Sequence, residues 1–292
     1  MTTGGTARTA AEMDASAQRP RPLLVIRPTY GWRSLDLREV WRFRDLLVML
    51  AVRDLKLRYR QTALGVTWVL LLPLLGAGIF ALVFGRVAKL PTSGVPYFLF
   101  AYAGLLGWNL FQGTVVRAGS SLVSNAHLIS KVFFPRVIVP LSAACSAAID
   151  TAVAFLLLLV LLPAYHVALT PAFALVPVWL LLFQVLALGL GLYAAALSVR
   201  YRDVIHILPI GIQFLLYASP VGYRTSLVPD NFRTLYVLNP LAGLLEALRW
   251  SLLGGAPPHW AHVAYAAVAS CALLVAGAFA FRRMERRFAD VI

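Results

Sequence analysis

Two ionisable side chains stand inside otherwise apolar runs. Asp150 lies in the middle of residues 137–162, and Arg117 lies about two turns from the end of residues 97–123. A carboxylate at membrane depth is costly unless a cation, polar groups or a water-filled cavity meets it. Asp150 and Arg117 are therefore candidates for an ion pair, although their expected depths differ. Alternatively Asp150 bonds to polar groups of residues 97–123, or simply fixes a helix interface. A proton-coupled carrier needs a relay of acids or histidines across the membrane, whereas Asp150 stands nearly alone. A glycosyl- or acyltransferase needs an acid pair, a His–Asp motif or a metal cluster. The histidines at 127, 166, 206, 259 and 262 are scattered, and the close pair His259 and His262 has no cysteine or third carboxylate beside it. No metal site is expected.

The elements that must position these groups follow from the apolar runs. The chain has 292 residues, of which 60% are hydrophobic and 13% charged. Soluble domains run nearer 45–50% apolar and about 25% charged. Runs of 20 or more residues with at most one charge suffice to cross a ~30 Å hydrocarbon core. Spans are expected at about 62–84, 97–123, 137–162, 172–199, 204–219 and 260–281, the fifth being short. The reading is an all-α integral membrane fold. It has six transmembrane helices, an N-terminal amphipathic interface helix at 40–60, and short re-entrant helices between spans five and six. That last segment, 220–259, is too long for a turn and too apolar for a plain loop. Irregular backbone at membrane depth survives where protein buries it or where it lines a cavity. Residues 1–30 read as a disordered cytoplasmic tail with no cleaved signal, and residues 31–292 as one transmembrane domain. Cys145 and Cys271 each fall in an apolar run and read as packing residues.

The formal charge is +14. Its distribution argues against nucleic acid. Twelve of the 26 basic residues precede position 61, and four more stand at Arg282, Arg283, Arg286 and Arg287. With six spans and both termini in the cytoplasm, inner segments hold twenty basic residues and outer segments five, as the positive-inside rule requires. Within 40–60, Arg42, Asp45, Arg53, Lys56 and Arg60 fall on one helical stripe broken only by Met49, and Trp41, Phe43, Leu47, Leu50 and Leu57 lie largely off it. A basic stripe with an apolar remainder suits the membrane surface, though a cytoplasmic helix packed on its own protein would serve too.

One stretch is specific: Asp54-Leu-Lys-Leu-Arg-Tyr-Arg-Gln-Thr-Ala-Leu-Gly-Val-Thr-Trp-Val-Leu-Leu-Leu-Pro73. It resembles the start of the ABC-2 type permeases that export O-antigen, capsule and teichoic acid chains. Four further segments agree with that family in order: Lys131-Val-Phe-Phe-Pro-Arg136, Arg200-Tyr-Arg-Asp203, Ser219-Pro-Val-Gly-Tyr223, and Asn239-Pro240 with Glu246 and Arg249. The resemblance covers about residues 40–290. It implies a homodimer in the bacterial cytoplasmic membrane, bound to two cytoplasmic ATPase subunits and moving a polyprenyl-diphosphate-linked polysaccharide. It also implies no cofactor and no catalysis in this chain, with ATP and Mg on the partner. The sequence agrees on that point. Its lysines are Lys56, Lys89 and Lys131, none follows a glycine, and so no Gly-x-x-x-x-Gly-Lys phosphate loop exists. An ABC-2 permease for a lipid or drug shares the six spans and is the competing reading.

The resemblance assigns the coupling loop and the outer gate, and side-chain chemistry suggests the two roles between them. The resemblance places an ATPase-coupling helix in the loop after span two, with Asn125, His127, Lys131, Phe133, Phe134, Pro135 and Arg136, where the two phenylalanines would dock into a groove. Arg53, Lys56, Arg58, Tyr59 and Arg60 would meet the carrier's phosphates, or else anionic lipid in general. Tyr102, Trp108, Asn109, Phe111, Gln112, Tyr193, Phe214 and Tyr217 would line a glycan conduit, since rings cover sugar faces and amides meet hydroxyls. Lipid-facing aromatic belts are the alternative. Asn239, Pro240, Glu246 and Arg249 would form an outer gate, with Glu246 and Arg249 three apart on one helix face and able to pair.

Overall fold

The computed structural model describes residues 37–59, 67–92 and 94–285. The segment 1–30, Arg60 and the first residues of the first expected span, 62–66, lie outside the described residues.

No strand occurs among the described residues. The helices are α1 (Leu37–Arg42), α2 (Arg44–Tyr59), α3 (Thr67–Phe80), α4 (Tyr97–Ser124), α5 (Ala126–Lys131) and α6 (Ile138–Ala164), then α7 (Val176–Arg200), α8 (Val204–Ala218), α9 (Asp230–Leu238), α10 (Pro240–Leu253) and α11 (Trp260–Glu285). A wider π-helical stretch, Ala81–Val87, prolongs α3, and a 3₁₀ turn at Pro171–Leu175 leads into α7.

Five helical segments are long and apolar enough to cross a bilayer: Thr67–Val87, Tyr97–Ser124, Ile138–Ala164, Pro171–Arg200 and Trp260–Glu285. Four begin within a few residues of their expected positions. The fifth expected span coincides with α8, which has 15 residues. At 1.5 Å per residue it reaches about 22 Å, short of a ~30 Å core.

Helix α4 is the axis of the bundle. Its most apolar stretch is 78% buried within the chain, whereas the corresponding stretch of Thr67–Val87 is 6% buried. Trp108, Tyr102 and Phe111 of α4 pack with Phe183 and Leu186 of α7 and Leu248 of α10 in the main core. Small residues set the helix spacing where polar glue is scarce. A Cβ on Gly277 of α11 would lie 2.0 Å from the carbonyl oxygen of Gly189 in α7, so the two backbones are in direct contact.

A second core cluster fixes which helix ends lie together. It gathers Leu50 of α2, Leu122 near the end of α4, Ile138 at the start of α6, Val199 at the end of α7 and Phe281 near the end of α11. Arg136 adds a hydrogen bond to the Glu285 carbonyl, 3.0 Å away. At the opposite end Phe98 of α4 stacks on Tyr165, which follows α6.

Helix α2 runs alongside the first half of α6, with Leu50 in the cluster around Ile138 and Arg58 at Asp150. Its outer side carries Val48, Met49, Val52 and Leu57. This changes the reading of the basic stripe. Arg53 of the stripe, and Arg58 off it, turn toward protein carboxylates and amides, while Leu50 packs inward and Lys56 stays exposed.

Candidate functional site

A cavity of about 550 Å³ opens between α2, α3, α4 and α6. That is within the range of small-ligand pockets, about 300–1,000 Å³. Three helical stripes line it. Helix α4 supplies Leu105, Asn109, Gln112 and Arg117, α6 supplies Ala147, Asp150, Thr151 and Ala154, and α3 supplies Trp68, Leu72 and Pro73. In α4 the steps of four, three and five residues keep the set on one helix face, and in α3 and α6 adjacent pairs widen the stripe. Asn109 is exposed on a helix whose neighbouring residues are buried, because the cavity lies in front of it.

The charged floor of the cavity is a triad. Arg58 Nη1 and Arg117 Nη2 each lie 2.6 Å from Oδ2 of Asp150. Arg117 is thus a partner of Asp150, despite the different depths expected. The second partner, Arg58, was not foreseen as one. It reaches Asp150 from another element, across 92 positions of chain. No local pattern encodes that meeting. The available signal was the cost of a lone carboxylate in a span, which predicts cations without naming them.

The expected conduit residues do not converge. Asn109 and Gln112 line the cavity, and Trp108 donates its ring N–H to Gln112 Oε1 at 2.7 Å. Tyr102, Trp108 and Phe111 are buried core residues, with the Tyr102 hydroxyl donating to the Ala154 carbonyl at 2.9 Å. They cannot line a path within this chain, because α4 is enclosed by its neighbours. Tyr193 is half exposed on α7, and Phe214 and Tyr217 are exposed on α8.

The loop after α4 is tied back to α2. Arg53 donates to Asn125 Oδ1 at 2.6 Å and to Asp54 Oδ1 at 2.8 Å. His127, Lys131 and Phe133 are exposed, while Phe134 and Pro135 are buried. Phe134 belongs to the second core cluster, so the expected pair of docking rings reduces to Phe133. Lys56 is exposed on α2, and Tyr59 closes that helix.

The segment between α8 and α10 is built around Arg249. Its guanidinium donates to the carbonyls of Pro220 at 2.7 Å, of Val221, and of Tyr223 at 3.4 Å. It also lies 4.1 Å from the centre of the Phe100 ring, a cation–π contact. The Tyr97 hydroxyl donates to the Gly222 carbonyl of the same turn. The expected Arg249–Glu246 ion pair is not formed among the described residues. The turn carbonyls surround the guanidinium and leave Glu246 an indirect influence. Asn239 caps α10 by accepting from the Leu241 N–H at 3.1 Å, and its amide donates to Ser219 Oγ at 2.9 Å. Pro240 follows at the first helical position, where its missing N–H costs nothing.

Residues 45–253 match the family described as ABC-2 type transporter. The chain belongs to this family. The matched region runs from the start of α2 to the end of α10, and so contains the cavity, the Arg53–Asn125 tie and the Arg249 cage. Among curated proteins, this ABC-2 transporter chain is similar to the O-antigen export system permease protein RfbA of Myxococcus xanthus. The two are 31% identical over 257 residues, covering 87% of this chain and 98% of the relative. The Klebsiella pneumoniae protein of the same description is 27% identical over 251 residues, 85% of this chain and 95% of its own. The polysialic acid transport protein KpsM of Escherichia coli is 23% identical over 242 residues, 81% of this chain and 92% of its own. This is a multi-pass membrane protein.

Proposed function

We propose that this chain is the membrane subunit of an ATP-driven exporter that carries a polyprenyl-linked polysaccharide from the cytoplasm across the bacterial cytoplasmic membrane. Two copies would assemble with two ATPase subunits. The observation that carries this reading is the likeness to an O-antigen export permease over 98% of that relative's length. The lack of a phosphate loop supports assigning nucleotide hydrolysis to a partner.

Six crossings are part of the proposal. The ends of α7 and α11 share a core cluster, so the chain between them must travel to the far end before α11 can return. Helix α8 and the turn after it supply that passage, with α9 and α10 as short elements at the far end. The basic residues then divide twenty to five, which supports placing both termini in the cytoplasm. In this orientation α5 and Phe133 face the ATPase, and Asn239, Pro240, Glu246 and Arg249 stand at the outer mouth.

The test is co-purification of the chain with an ATPase encoded beside its gene, followed by ATP hydrolysis and polymer export. The expected result is a stable complex whose coupled activity falls in Phe133→Ala. A chain that assembles with no ATPase, even after cross-linking in its native membrane, would overturn the reading.

A further inference from the structure

Resting on that reading, we propose that the cavity at Asp150 is a binding site for the phosphate headgroup of a lipid. Arg58 and Arg117 are its two cationic arms, and Asp150 is the internal counter-ion that the phosphate replaces.

The charge balance is the first argument. Two guanidiniums converge on one carboxylate oxygen, and the lining residues carry a formal charge of +1. A site that already holds two guanidiniums against a carboxylate can hold another anionic group in the same geometry. A phosphate is the natural competitor for Asp150, since it brings more charge and more oxygens than a carboxylate and matches the planar guanidinium fork.

The walls are the second argument. Beside the triad stand Asn109, Gln112 and Thr151, which suit hydroxyls carried on a phosphate ester. Leu72, Pro73 and Leu105 form an apolar wall that suits a hydrocarbon chain. A cationic floor, a polar side and a greasy side together fit an amphiphile better than a free ion. The wall made by α3 is also the least buried of the spans, so the greasy side adjoins the lipid.

The position of each basic residue is the third argument. The cluster on α2 is not a single unit. Arg53 is engaged by Asp54 and Asn125, and Lys56 lies on the exposed side. Arg58 alone among these three lines the cavity, and its second arm comes from α4.

The test uses the full chain in maltoside micelles, which contain no phosphate, titrated calorimetrically with farnesyl diphosphate, farnesol and dihexanoyl phosphatidylglycerol. Farnesyl diphosphate should bind and farnesol should not. Arg58→Gln and Arg117→Gln should each weaken binding at least tenfold, with exposed Lys89→Gln as an unchanged control. Asp150→Asn should tighten it severalfold, because the competing carboxylate is gone. A triad with a merely structural role predicts the reverse sign. Should an arginine variant fail to fold, Gln112→Glu adds a negative charge to the wall without touching the triad and should abolish binding. Stronger binding of farnesyl diphosphate than of phosphatidylglycerol identifies an isoprenoid carrier, and equal binding identifies bilayer phospholipid; both support a phosphate site. Unchanged affinity in Gln112→Glu, or weaker affinity in a folded Asp150→Asn, would overturn the proposal. No ATPase is needed, so this result is independent of the co-purification test.

Discussion

Phe133 and Phe134 are adjacent in sequence and opposite in environment: Phe133 is 77% exposed and Phe134 is 6% exposed. The extended backbone at Val132 ends α5, and the chain then turns Phe134 into the cluster that holds Val137, Ile138 and Phe281. An exposed aromatic ring at the tip of a short loop is a typical anchor for a partner's groove. Phe133→Ala should therefore leave thermal stability within error and lower ATPase-coupled export. Phe134→Ala should do the converse, costing about 3–5 kcal/mol of stability as large-to-small core changes do. Melting curves of both variants, set beside their export rates, separate the two roles. Equal losses of stability would contradict the assignment.

This pair also shows what a sequence can and cannot disclose. Apolar runs and glycine-bearing spans made the long helices legible, because hydrocarbon thickness sets their length directly. The short α8 was legible as apolar, but its 15 residues leave the crossing to be settled by its neighbours. Arg117 and Asp150 could be suspected of pairing from the cost of an isolated charge. The contribution of Arg58 was hidden, since it depends on how α2 runs along α6. Aromatic content in α4 pointed to a conduit, yet Tyr102, Trp108 and Phe111 are enclosed by other helices. Burial on all sides is a tertiary fact that composition does not carry.

The contact of Gly189 with Gly277 predicts a steep and specific sensitivity. A methyl group on Gly277 would overlap the Gly189 carbonyl, and one on Gly189 would lie 2.6 Å from the Leu273 backbone. Backbone cannot yield as a flexible side chain can, so α7 and α11 must separate. Gly277→Ala should cost at least the 1–3 kcal/mol typical of overpacking. Gly211→Ala, where a Cβ meets nothing within 4 Å, should be neutral or up to about 1 kcal/mol stabilising through helix propensity. Thermal unfolding of both in detergent tests the contrast. Similar melting points for the two variants would rule out the close crossing.

Arg249 predicts how the turn between α8 and α9 is held. The guanidinium collects three carbonyls from Pro220, Val221 and Tyr223 and stacks on Phe100, while Glu246 contributes no close contact. Arg249→Lys keeps the charge but loses the planar fork, so it should loosen the turn nearly as much as Arg249→Gln. Glu246→Gln should be much milder. Val221 is fully buried, so with Cys145 and Cys271 replaced by serine a cysteine placed there should resist thiol labelling in the parent and in Glu246→Gln, and react in both Arg249 variants. Equal labelling in the Glu246 and Arg249 variants would restore the ion-pair gate.

Arg53 and Arg58 stand five residues apart on α2, about 7.5 Å along the helix axis. The first is bonded to Asn125 at the head of α5, and the second to Asp150 in the cavity. A helix is stiff over that distance, so α2 links the loop facing the proposed ATPase to the proposed phosphate site. Asn125→Ala removes the acceptor of Arg53 while leaving Phe133 and the triad in place. ATP hydrolysis by the assembled complex should then persist near its parent rate while polymer export per ATP falls severalfold. Phe133→Ala, by contrast, should lower both together through weaker assembly. Measuring the two rates on one preparation distinguishes them, and an unchanged ratio in Asn125→Ala would show that motion reaches the cavity by another route.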